Sequence, residues 1–363
     1  MSFLPQMEPW FDNRERDALD AYMAEGGWLT EFKKTEQLEE TIATYVGSAH
    51  CAMVNNGTVS LTVMALAAGV KPGDEVIIPN FTMIASANSM QMFGAIPVFV
   101  DVEPETLCMD IDKVRAAITD KTRAILFVPA NGRYPKAGIE AFERLAEERG
   151  LILLEDSAQS LGSRYPDGRH QGTAGKAGSF SFSAPKIITT GQGGCVVTSD
   201  EEINHRMRRL KDFGRASGGI DIHDSIGYNF KFTDMQAVIG LVQMEKLDER
   251  VVRKKDILRR YQDGLAACGP VSFFDQDLEH TTPWFIDVLL AEGRAELVAF
   301  LKERGIGTRL MYPPVNKQKA WNRPGEHPVS EKVGANGLWL PSQAQLSDEQ
   351  IDEICGQIRI FYA

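Results

Sequence analysis

Short apolar runs alternate with amphipathic stretches through about the first two-thirds of the chain. Five of these runs have the length and the valine, isoleucine and leucine content of strands: Glu75–Ile78, Pro97–Val100, Ala124–Val128, Leu151–Leu154 and Gly194–Thr198. Helical patterns lie between several of them, and Ile139–Arg149 is one example. Continuous apolar strands separated by helices indicate a sheet that is buried on both faces and mostly parallel. The pattern therefore predicts an α/β fold.

The last third of the chain has a different pattern. A helical pattern begins near Asp234 and continues into the charged segment Glu245–Arg260, and a long charged helix of this kind commonly bridges two domains. A strand around Trp284–Val288 and a helix over Arg294–Arg304 follow. Ser347, with acidic and amide residues behind it, has the pattern of an N-cap for a final helix. These elements predict a smaller C-terminal α+β domain.

Chain length also favours two domains, because 363 residues exceed the size at which one hydrophobic core usually stops growing. We expect a large domain over residues 1–245, which includes an N-terminal segment, and a small domain over residues 246–363. The composition, with 43% hydrophobic and 25% charged residues, is that of an ordinary globular protein. A net charge of −11 argues against a nucleic-acid-binding surface, which normally carries a basic excess.

The cysteines and the N-terminal sequence indicate the cellular compartment in which we expect the protein. Five cysteines lie far apart, without a C-x-x-C pair or a histidine at metal-ligand spacing, so no metal site is expected. An odd, scattered set of cysteines indicates reduced thiols in a cytosol-like compartment. The N-terminus lacks the pattern of a signal peptide, and no apolar run approaches the ~18 residues of a membrane-spanning helix. We therefore expect a cytoplasmic protein that contacts neither membranes nor nucleic acids.

A glycine turn precedes the first strongly apolar helical run. Asn55–Ser60 comes directly before Leu61–Ala68. Glycine lets the backbone approach a ligand closely, and free N–H groups at a helix start favour a phosphate. Gly57 and Thr58 are therefore candidates for a phosphate site. The alternative is an ordinary turn with an Asn or Thr cap.

Lys186 lies between a short aromatic strand and a second glycine-rich turn. Phe180–Pro185 precedes it, and Ile187–Gly194 follows it. A lysine in this setting is a candidate for the amine that forms a Schiff base with pyridoxal 5′-phosphate (PLP). Taken alone, a lysine at a strand end is more often solvated and inert.

Asp156 lies at the end of a predicted strand, where the binding crevice of an open α/β sheet is found. A carboxylate there is able to hold the pyridine nitrogen of PLP protonated, and Gln159, three residues later, is placed to donate to the phenolic oxygen of the same ring. An N-cap or loop carboxylate and a surface glutamine are the alternatives. The order of glycine turn, strand-end aspartate, Ser181, Lys186 and second glycine turn favours the cofactor interpretation.

Conspicuous motifs are distributed over nearly the whole chain. They are Gly26–Thr30, Asn56–Thr58, Pro72–Pro79, Thr82, Ile84–Asn88, Glu155–Gln159, Lys186–Gly194 and Gly227–Asn229. Together they resemble the DegT/DnrJ/EryC1/StrS group of sugar aminotransferases, and the block Lys186–Gly194 is highly specific. The resemblance implies the type I PLP fold of aspartate aminotransferase, with a mostly parallel seven-stranded sheet in the large domain, and PLP as the cofactor.

The resemblance also implies a role for each matching cofactor residue. Lys186 forms the Schiff base and later moves protons, Asp156 pairs with the pyridine nitrogen, and Gln159 approaches the ring hydroxyl. Asn229 resembles an asparagine that reaches the cofactor phosphate from the neighbouring subunit, which implies a homodimer with shared active sites. The residues of the same chain that are implied to bind the phosphate are Gly57, Thr58 and Ser181.

Other matching positions imply contacts with the substrate. The candidates are Trp28, Thr30, Met83, Arg309 and Tyr312. A solvated arginine and a packed tyrosine are the alternatives for the last two. Three departures from the group's pattern concern the substrate more than the cofactor. Met83 stands where an aromatic ring usually stacks, Asn131 replaces part of a His-Leu-Tyr-Gly segment, and Lys231 replaces an arginine whose bidentate fork a lysine cannot reproduce.

The implied reaction transfers an amino group from L-glutamate to C4 of a nucleotide-linked 4-keto-6-deoxyhexose, within deoxyamino-sugar and polysaccharide biosynthesis. GDP-4-keto-6-deoxymannose is the favoured substrate, while UDP- and dTDP-linked sugars and amination at C3 stay open. Relatives that remove the C3 hydroxyl carry histidine at the position of Lys186, so the lysine favours amino transfer. A non-catalytic PLP-fold regulator is the alternative from another class of protein.

Overall fold

Strands and helices alternate along the chain as the sequence pattern predicts, in a computed structural model that describes residues 3–216 and 220–363. The strands are β1 (His50–Val54), β2 (Glu75–Pro79), β3 (Ile96–Val100), β4 (Thr122–Phe127), β5 (Ile152–Asp156), β6 (Ala177–Ser181), β7 (Gly194–Thr198), β8 (Val271–Phe273), β9 (Ile286–Leu290), β10 (Arg309–Leu310) and β11 (Gly337–Leu340). The α-helices are α1 (Asn13–Ala24), α2 (Lys33–Val46), α3 (Gly57–Ala67), α4 (Ala85–Gln91), α5 (Ile111–Ala117), α6 (Ile139–Arg149), α7 (Glu201–Lys211), α8 (Asp234–Glu245), α9 (Leu247–Leu265), α10 (Arg294–Glu303), α11 (Pro328–Asn336) and α12 (Asp348–Tyr362). None of the helices in these described ranges is both long and apolar enough to cross a bilayer.

A seven-stranded sheet with the order β1-β7-β6-β5-β4-β2-β3 lies at the centre of the larger part of the chain. β7 runs antiparallel to both of its neighbours, β1 and β6. The other neighbouring strands pair in parallel. The prediction of a mostly parallel seven-stranded sheet is confirmed. The carboxyl ends of the parallel strands share one edge, which is where a ligand site is expected.

β4 shows why its sequence is a continuous apolar run. Ile125 and Phe127 pack into the core on one face of the sheet, where the Phe127 ring lies 5.0 Å from the ring of Phe142 in α6. Ala124 and Leu126 pack into the core on the other face, together with residues of α3. All four strand residues are fully buried. Because neither face meets solvent, no polar alternation is left in the sequence.

Two helix ends show how local capping signals set the bounds of an element. α6 has the predicted bounds and ends at Gly150, whose left-handed φ of 63° suits a glycine C-cap. α12 begins after Ser347, whose hydroxyl accepts from the backbone N–H of Gln350. The Gln350 side chain in turn accepts from the backbone N–H of Ser347, which completes a capping box. The N-cap predicted at Ser347 is therefore confirmed.

The helical pattern over residues 234–260 forms two helices rather than one, because α8 and α9 meet at Lys246. At this point the backbone N–H of Lys246 donates to the carbonyl of Gln243, three residues earlier in the chain. The Lys246 Nζ is buried and lies 2.5 Å from a carboxylate oxygen of Glu15 in α1. This ion pair joins segments that are far apart in sequence, so the local pattern did not reveal the break.

The C-terminal part contains its own four-stranded antiparallel sheet, with the order β10-β11-β9-β8. Residues of α9, α10 and α12 pack on it in one core, which includes Leu258, Ile286, Leu297, Leu338 and Ile354. α9 runs against α12 over much of its length. The prediction of a smaller α+β unit is confirmed.

We propose that the two domains divide between residues 245 and 246, at the junction of α8 and α9. The residues around Leu4, at the start of the described chain, do not belong with the large domain as this division would suggest. The N–H of Leu4 donates to the carbonyl of Gly305, and the N–H of Gly307 donates to the carbonyl of Leu4, both at 2.7 Å. The segment thus pairs with the small domain, although the sequence pattern assigns it to the large one.

Candidate active site

A cavity of about 380 Å³ lies at the carboxyl end of β5, where the large sheet meets the N-terminus of α3. Its lining combines loops of the large sheet with residues of the C-terminal part, and a crevice of this size at strand ends is typical of ligand sites in α/β folds. Six of the seven predicted cofactor residues line it: Gly57, Thr58, Asp156, Gln159, Ser181 and Lys186. The structure thus brings together residues that span 130 positions of the sequence, from 57 to 186.

The turn before α3 has the features of an anion site. The Asn56 Oδ1 caps α3 by accepting from the N–H of Val59 at 2.9 Å. The N–H groups of Gly57 and Thr58 belong to the first helical turn, where such groups have no partner within the helix. A Cβ on Gly57 would lie 2.8 Å from the Cβ and the Oγ of Ser181. Only glycine therefore lets the helix start approach Ser181 so closely.

Asp156 ends β5 with its carboxylate at the cavity. It is 5% exposed. The Ser86 hydroxyl donates to Oδ2 at 2.6 Å, and the N–H of Ala158 donates to Oδ1 at 3.3 Å. Burial raises the pKa of Asp156, while the Ser86 hydrogen bond and the positive charge of Lys186 oppose that rise. A carboxylate held in this way is suited to pair with a protonated ring nitrogen.

The neighbouring Glu155 points away from the cavity, because alternate residues of a strand face opposite sides of the sheet. Its carboxylate accepts from the Tyr165 hydroxyl at 2.5 Å. It also accepts from three N–H groups of the loop that follows, those of Gly172, Ala174 and Gly175. Burial raises the pKa of Glu155, and these hydrogen bonds counteract the rise. Glu155 thus orders the loop after β5, and Asp156 is left to serve the cavity.

Gln159 is oriented by the loop after β4. Its Oε1 accepts from the backbone N–H of Asn131 at 2.9 Å, which leaves the amide NH₂ as the end available to a ligand. Asn131 has a left-handed φ of 54° and is itself fixed, because its side-chain amide exchanges two hydrogen bonds with the backbone of Phe285. The departure at Asn131 therefore anchors the loop that carries the Gln159 partner.

Lys186 follows β6 in a turn in which its N–H donates to the carbonyl of Ser183 at 3.0 Å. Burial lowers the pKa of the Lys186 amine to about 8. The positive charge of Arg309 acts in the same direction, and the negative charge of Asp156 opposes it. The glycine turn behind the lysine ends at Gly194, where a Cβ would lie 2.7 Å from the backbone of Asn56. β7 therefore runs directly beside the start of α3.

Three of the five substrate candidates line the same cavity. Met83 is 44% exposed, and its Sδ accepts from the N–H of Ala85 at 3.0 Å. The Arg309 guanidinium carbon lies 5.3 Å from the centre of the Trp339 ring. Tyr312 is half-buried, and burial raises the pKa of its hydroxyl, so the phenol stays neutral. Arg309 and Tyr312 are thus placed in the cavity wall, near the Lys186 amine.

Three other candidate residues do not line the cavity of their own chain. Trp28 is 63% exposed, and Thr30 and Asn229 are also exposed. The departure at Lys231 is outside the cavity too. Its Nζ pairs with the Asp212 carboxylate at 2.9 Å, a contact within the segment that carries Asn229. The sequence motifs for these residues therefore mark a surface, not the wall of this cavity.

Sequence reasoning did not identify several residues of the site. Those missed in the cavity wall include Asn55, Ser183, Gln192 and Trp284. Ser86, which holds Asp156, lies inside the recognised motif Ile84–Asn88, so that motif contained the signal for it. Trp284 gave no local signal beyond a strand, because its indole partner Pro185 is 99 residues away.

The chemical groups that line the cavity match those that PLP needs for binding. The cavity offers an amine at Lys186, a buried carboxylate at Asp156, an amide donor at Gln159 and an anion-type helix start beside Ser181. They correspond to the cofactor's aldehyde, ring nitrogen, ring oxygen and phosphate. Each chemical group of the cofactor thus has a matching group in one cavity.

Comparisons with known proteins agree with this chemistry. Residues 11–359 match the sequence profile of the DegT/DnrJ/EryC1/StrS aminotransferase family. The chain is 35% identical to a GDP-perosamine synthase of Escherichia coli O157:H7, with 100% of both chains covered. It is 32% identical to a GDP-perosamine synthase of Vibrio cholerae, with 99% of both chains covered.

Solved structures show the same fold. The aminotransferase TlmJ from Streptoalloteichus hindustanus superposes with a TM-score of 0.93 at 31% identity, over 99% of this chain and 98% of that one. DesI, studied in the presence of its TDP-sugar product, superposes with a TM-score of 0.90 at 29% identity, over 99% of this chain and 92% of that one. The chain belongs to the DegT/DnrJ/EryC1/StrS aminotransferase family and is a PLP-dependent aminotransferase.

Proposed function

We propose that this aminotransferase moves an amino group from L-glutamate to C4 of a nucleotide-linked 4-keto-6-deoxyhexose, and that the substrate is GDP-4-keto-6-deoxymannose, giving GDP-perosamine. The full-length similarity to two relatives named GDP-perosamine synthase supports this choice. The observation that carries the proposal is the single cavity in which Lys186, Asp156 and the start of α3 meet.

The proposed chemistry centres on the amine of Lys186. When bound, PLP supplies an aldehyde that takes up an amino group and a conjugated ring that accepts the electrons of a breaking C–H bond. Lys186 is the attachment point, and its amine, once free, takes the proton from Cα of glutamate and later delivers one to C4 of the sugar. With its pKa lowered to about 8 by burial, a useful fraction of the amine is neutral and able to accept a proton near pH 7.

The remaining cofactor residues have binding and orienting roles in this proposal. The negative charge of Asp156 keeps the pyridine nitrogen protonated, and the NH₂ group of Gln159 donates to the ring oxygen. The residues proposed to bind the phosphate are Gly57, Thr58 and Ser181. Met83 packs on the ring face with its thioether in place of an aromatic stack. Arg309 and Tyr312 contact the substrate from the cavity wall.

A homodimer with shared active sites is part of the same proposal. Asn229 is exposed and outside its own cavity, which suits a residue that reaches the cofactor phosphate of the other subunit. Trp28 and Thr30 are exposed as well, and we assign their substrate contacts to the neighbouring site. Large apolar side chains close to these positions in sequence are exposed as well, among them Leu29, Phe32, Ile226 and Tyr228.

A cytoplasmic location and a place in polysaccharide biosynthesis, O-antigen included, complete the proposal. All five cysteines are free and buried, which supports a reducing compartment. A 4-amino-4,6-dideoxy sugar that is still linked to its nucleotide is activated for transfer to a growing glycan. The product of the proposed reaction has this form.

Three alternatives make different predictions about the substrate. The similarity to DesI, which has a TDP-sugar product, favours a dTDP-linked sugar as the second candidate. UDP-linked sugars differ from the favoured substrate in the nucleotide, and amination at C3 differs in which carbon of the sugar faces the cofactor; both use the same cofactor chemistry.

A substrate panel separates these possibilities. Purified protein with PLP and L-glutamate is incubated with GDP-, UDP- and dTDP-linked 4-keto-6-deoxyhexoses and with 3-keto analogues, and 2-oxoglutarate formation is followed. The proposal predicts the highest kcat/KM with GDP-4-keto-6-deoxymannose. A preference for a dTDP sugar would replace the nucleotide, activity only on 3-keto sugars would replace the C4 assignment, and inactivity on the whole panel would overturn the assignment to keto-sugar nucleotides of these classes.

A further inference from the structure

Trp284 links the lysine segment to the C-terminal part of the chain. Its indole N–H donates to the carbonyl of Pro185, the residue directly before Lys186, at 2.7 Å. The Lys186 Nζ lies 4.0 Å from the centre of the Trp284 ring. One side chain therefore contacts the lysine segment twice, once at its backbone and once at its amine.

Aromatic neighbours hold the Trp284 ring in place. Trp284 is 5% exposed, and its ring lies 3.8 Å from that of Phe285 and 6.2 Å, edge-on, from that of Trp339. Trp339 in turn meets the ring of Tyr312 edge-on at 4.7 Å. A ring packed in this way cannot turn aside without opening the cluster. Its face is therefore a fixed surface beside the amine.

The charged groups near the Lys186 amine have opposing effects on its protonation, and the Trp284 ring face adds a further interaction with the ammonium. Asp156 at the end of β5 favours the ammonium form, whereas burial and the positive charge of Arg309 on β10 disfavour it. Tyr312 is neutral, because burial raises the pKa of its hydroxyl. The negative face of an indole attracts a cation most strongly where solvent is excluded. Trp284 thus offers the ammonium a partner that carries no formal charge.

We propose that Trp284 is a positioning residue for Lys186, which fixes the peptide before the lysine and holds the free ammonium against its ring face. This inference rests on the proposed role of the Lys186 amine as a proton carrier. A lysine side chain has four flexible carbons, and without a partner the released amine would sample many rotamers. A fixed ring face keeps the amine within reach of the reacting carbon.

Cofactor-free protein allows a direct test, because the Lys186 amine is then free and no substrate is needed. Competitive labelling with trace acetic anhydride across a pH series, followed by peptide mass spectrometry, reports the pH midpoint at which Lys186 becomes reactive. Mono-, di- and trifluorotryptophan at position 284 keep the ring shape and the N–H but progressively weaken the negative face. The midpoint is predicted to fall stepwise with fluorine number, by roughly half to one pH unit in total. An unchanged midpoint across the series would overturn the inference.

Two conventional variants provide a matched control. Trp284→Leu removes both contacts to the lysine segment and is predicted to lower the midpoint, whereas Phe142→Leu removes a ring that packs on Phe127 in the same core and is predicted to leave the midpoint unchanged. An equal shift in both variants would reduce Trp284 to a packing role and overturn the inference. No sugar nucleotide enters this measurement, so its failure and a failure of the proposed substrate are separate results.

Discussion

The alternation of side chains along β5 and the hydrogen bonds at each carboxylate decide which of two adjacent carboxylates serves the cavity. Glu155 is saturated by a tyrosine hydroxyl and loop N–H groups, whereas Asp156 receives one short hydrogen bond, from Ser86, and a longer one from a backbone N–H. Ser86 is in contact with the hydroxyl of Thr82 at 2.9 Å, so its orientation is also set. The ionised state of Asp156 therefore depends on a residue that does not itself line the cavity.

Ser86→Ala tests that dependence. The Ser86 hydrogen bond lowers the pKa of Asp156, so its loss raises this pKa and the ionised form is lost at a higher pH. The acid limb of kcat/KM against pH is expected to move upward by about one pH unit, because a hydrogen bond to a charged group contributes about 1.5 to 3 kcal/mol. Ser89→Ala is the control on α4, since the Ser89 hydroxyl bonds to the Ser86 carbonyl and, among the described residues, not to Asp156. Identical pH profiles for the parent and Ser86→Ala would contradict the account.

At the scale of secondary-structure elements, two buried asparagines connect the loop after β10 to the end of β2. The Asn80 Nδ2 donates to the Asn316 Oδ1, and the backbone N–H of Asn316 donates to the Asn80 Oδ1, both at 2.9 Å. Both residues are at most 1% exposed. The loop that carries Tyr312 in the cavity wall, and that follows Arg309 on β10, is thus anchored at its far end.

Asn316→Ala is expected to loosen this loop. It leaves the Asn80 amide without its partner at a buried site, which costs about 1 to 3 kcal/mol of stability. The KM for the sugar nucleotide is expected to rise several-fold while the affinity for PLP stays near that of the parent. Lys319→Ala, at an exposed position nearby, serves as the control in both assays. A parental KM together with the lowered melting temperature would show that the tether does not position the loop.

Helix α9 contains a buried lysine whose protonated form is destabilised by burial. Lys254 is 1% exposed, and its Nζ donates to the carbonyl of Ser342 at 2.5 Å. Burial lowers the pKa of Lys254 to about 7 from an ordinary value of 10.5. Between these two values the folded protein has released a proton that the unfolded chain still binds. The free energy of unfolding should therefore rise with pH across this window, and the burial penalty is complete below it.

Lys254→Met removes that pH dependence. The free energy of unfolding of the parent is expected to gain up to about 1.4 kcal/mol per pH unit more than that of the variant between pH 7 and 10. Thermal unfolding at several pH values measures the difference. Lys302→Met, at an exposed position on α10, should behave like the parent. Parallel stability curves for the parent and Lys254→Met would show that Lys254 stays protonated when folded.

At the scale of the whole molecule, the proposal to be tested is that two chains share each active site. Lys186 lies in the cavity of its own chain, whereas Asn229 is exposed on the surface. If each site takes its lysine from one protomer and its asparagine from the other, then Lys186→Ala and Asn229→Ala chains complement each other. A mixed dimer would contain one site with both defects and one with neither.

Co-expression of the two variants under different affinity tags tests this arrangement. Each variant alone is expected to bind PLP weakly, and the mixed dimer is expected to regain about half of the parental PLP content and activity. The visible absorbance of the bound cofactor and the rate of 2-oxoglutarate formation measure the two. A mixed preparation no better than the average of the two separate variants would contradict the shared site.

The sequence predicted the features that depend on neighbours in the chain. The bounds of α6, the N-cap at Ser347 and the glycine turn at Gly57 are local, and all appear in the structure. The break at Lys246, the Asn80–Asn316 pair and the contact of Trp284 with the lysine segment join positions far apart in sequence. Such pairings arise from tertiary packing, which a single sequence does not encode locally.

The most direct test of the central claim follows the nitrogen atom itself. The parent enzyme with PLP, ¹⁵N-labelled L-glutamate and GDP-4-keto-6-deoxymannose is predicted to give a ¹⁵N-labelled amino sugar and an equal amount of 2-oxoglutarate, both detected by mass spectrometry. Lys186→Ala is predicted to give neither in multiple turnovers. Labelled product from Lys186→Ala at the parental rate would contradict the role of the lysine, and unlabelled sugar from an active, PLP-loaded parent would contradict amino transfer to this sugar.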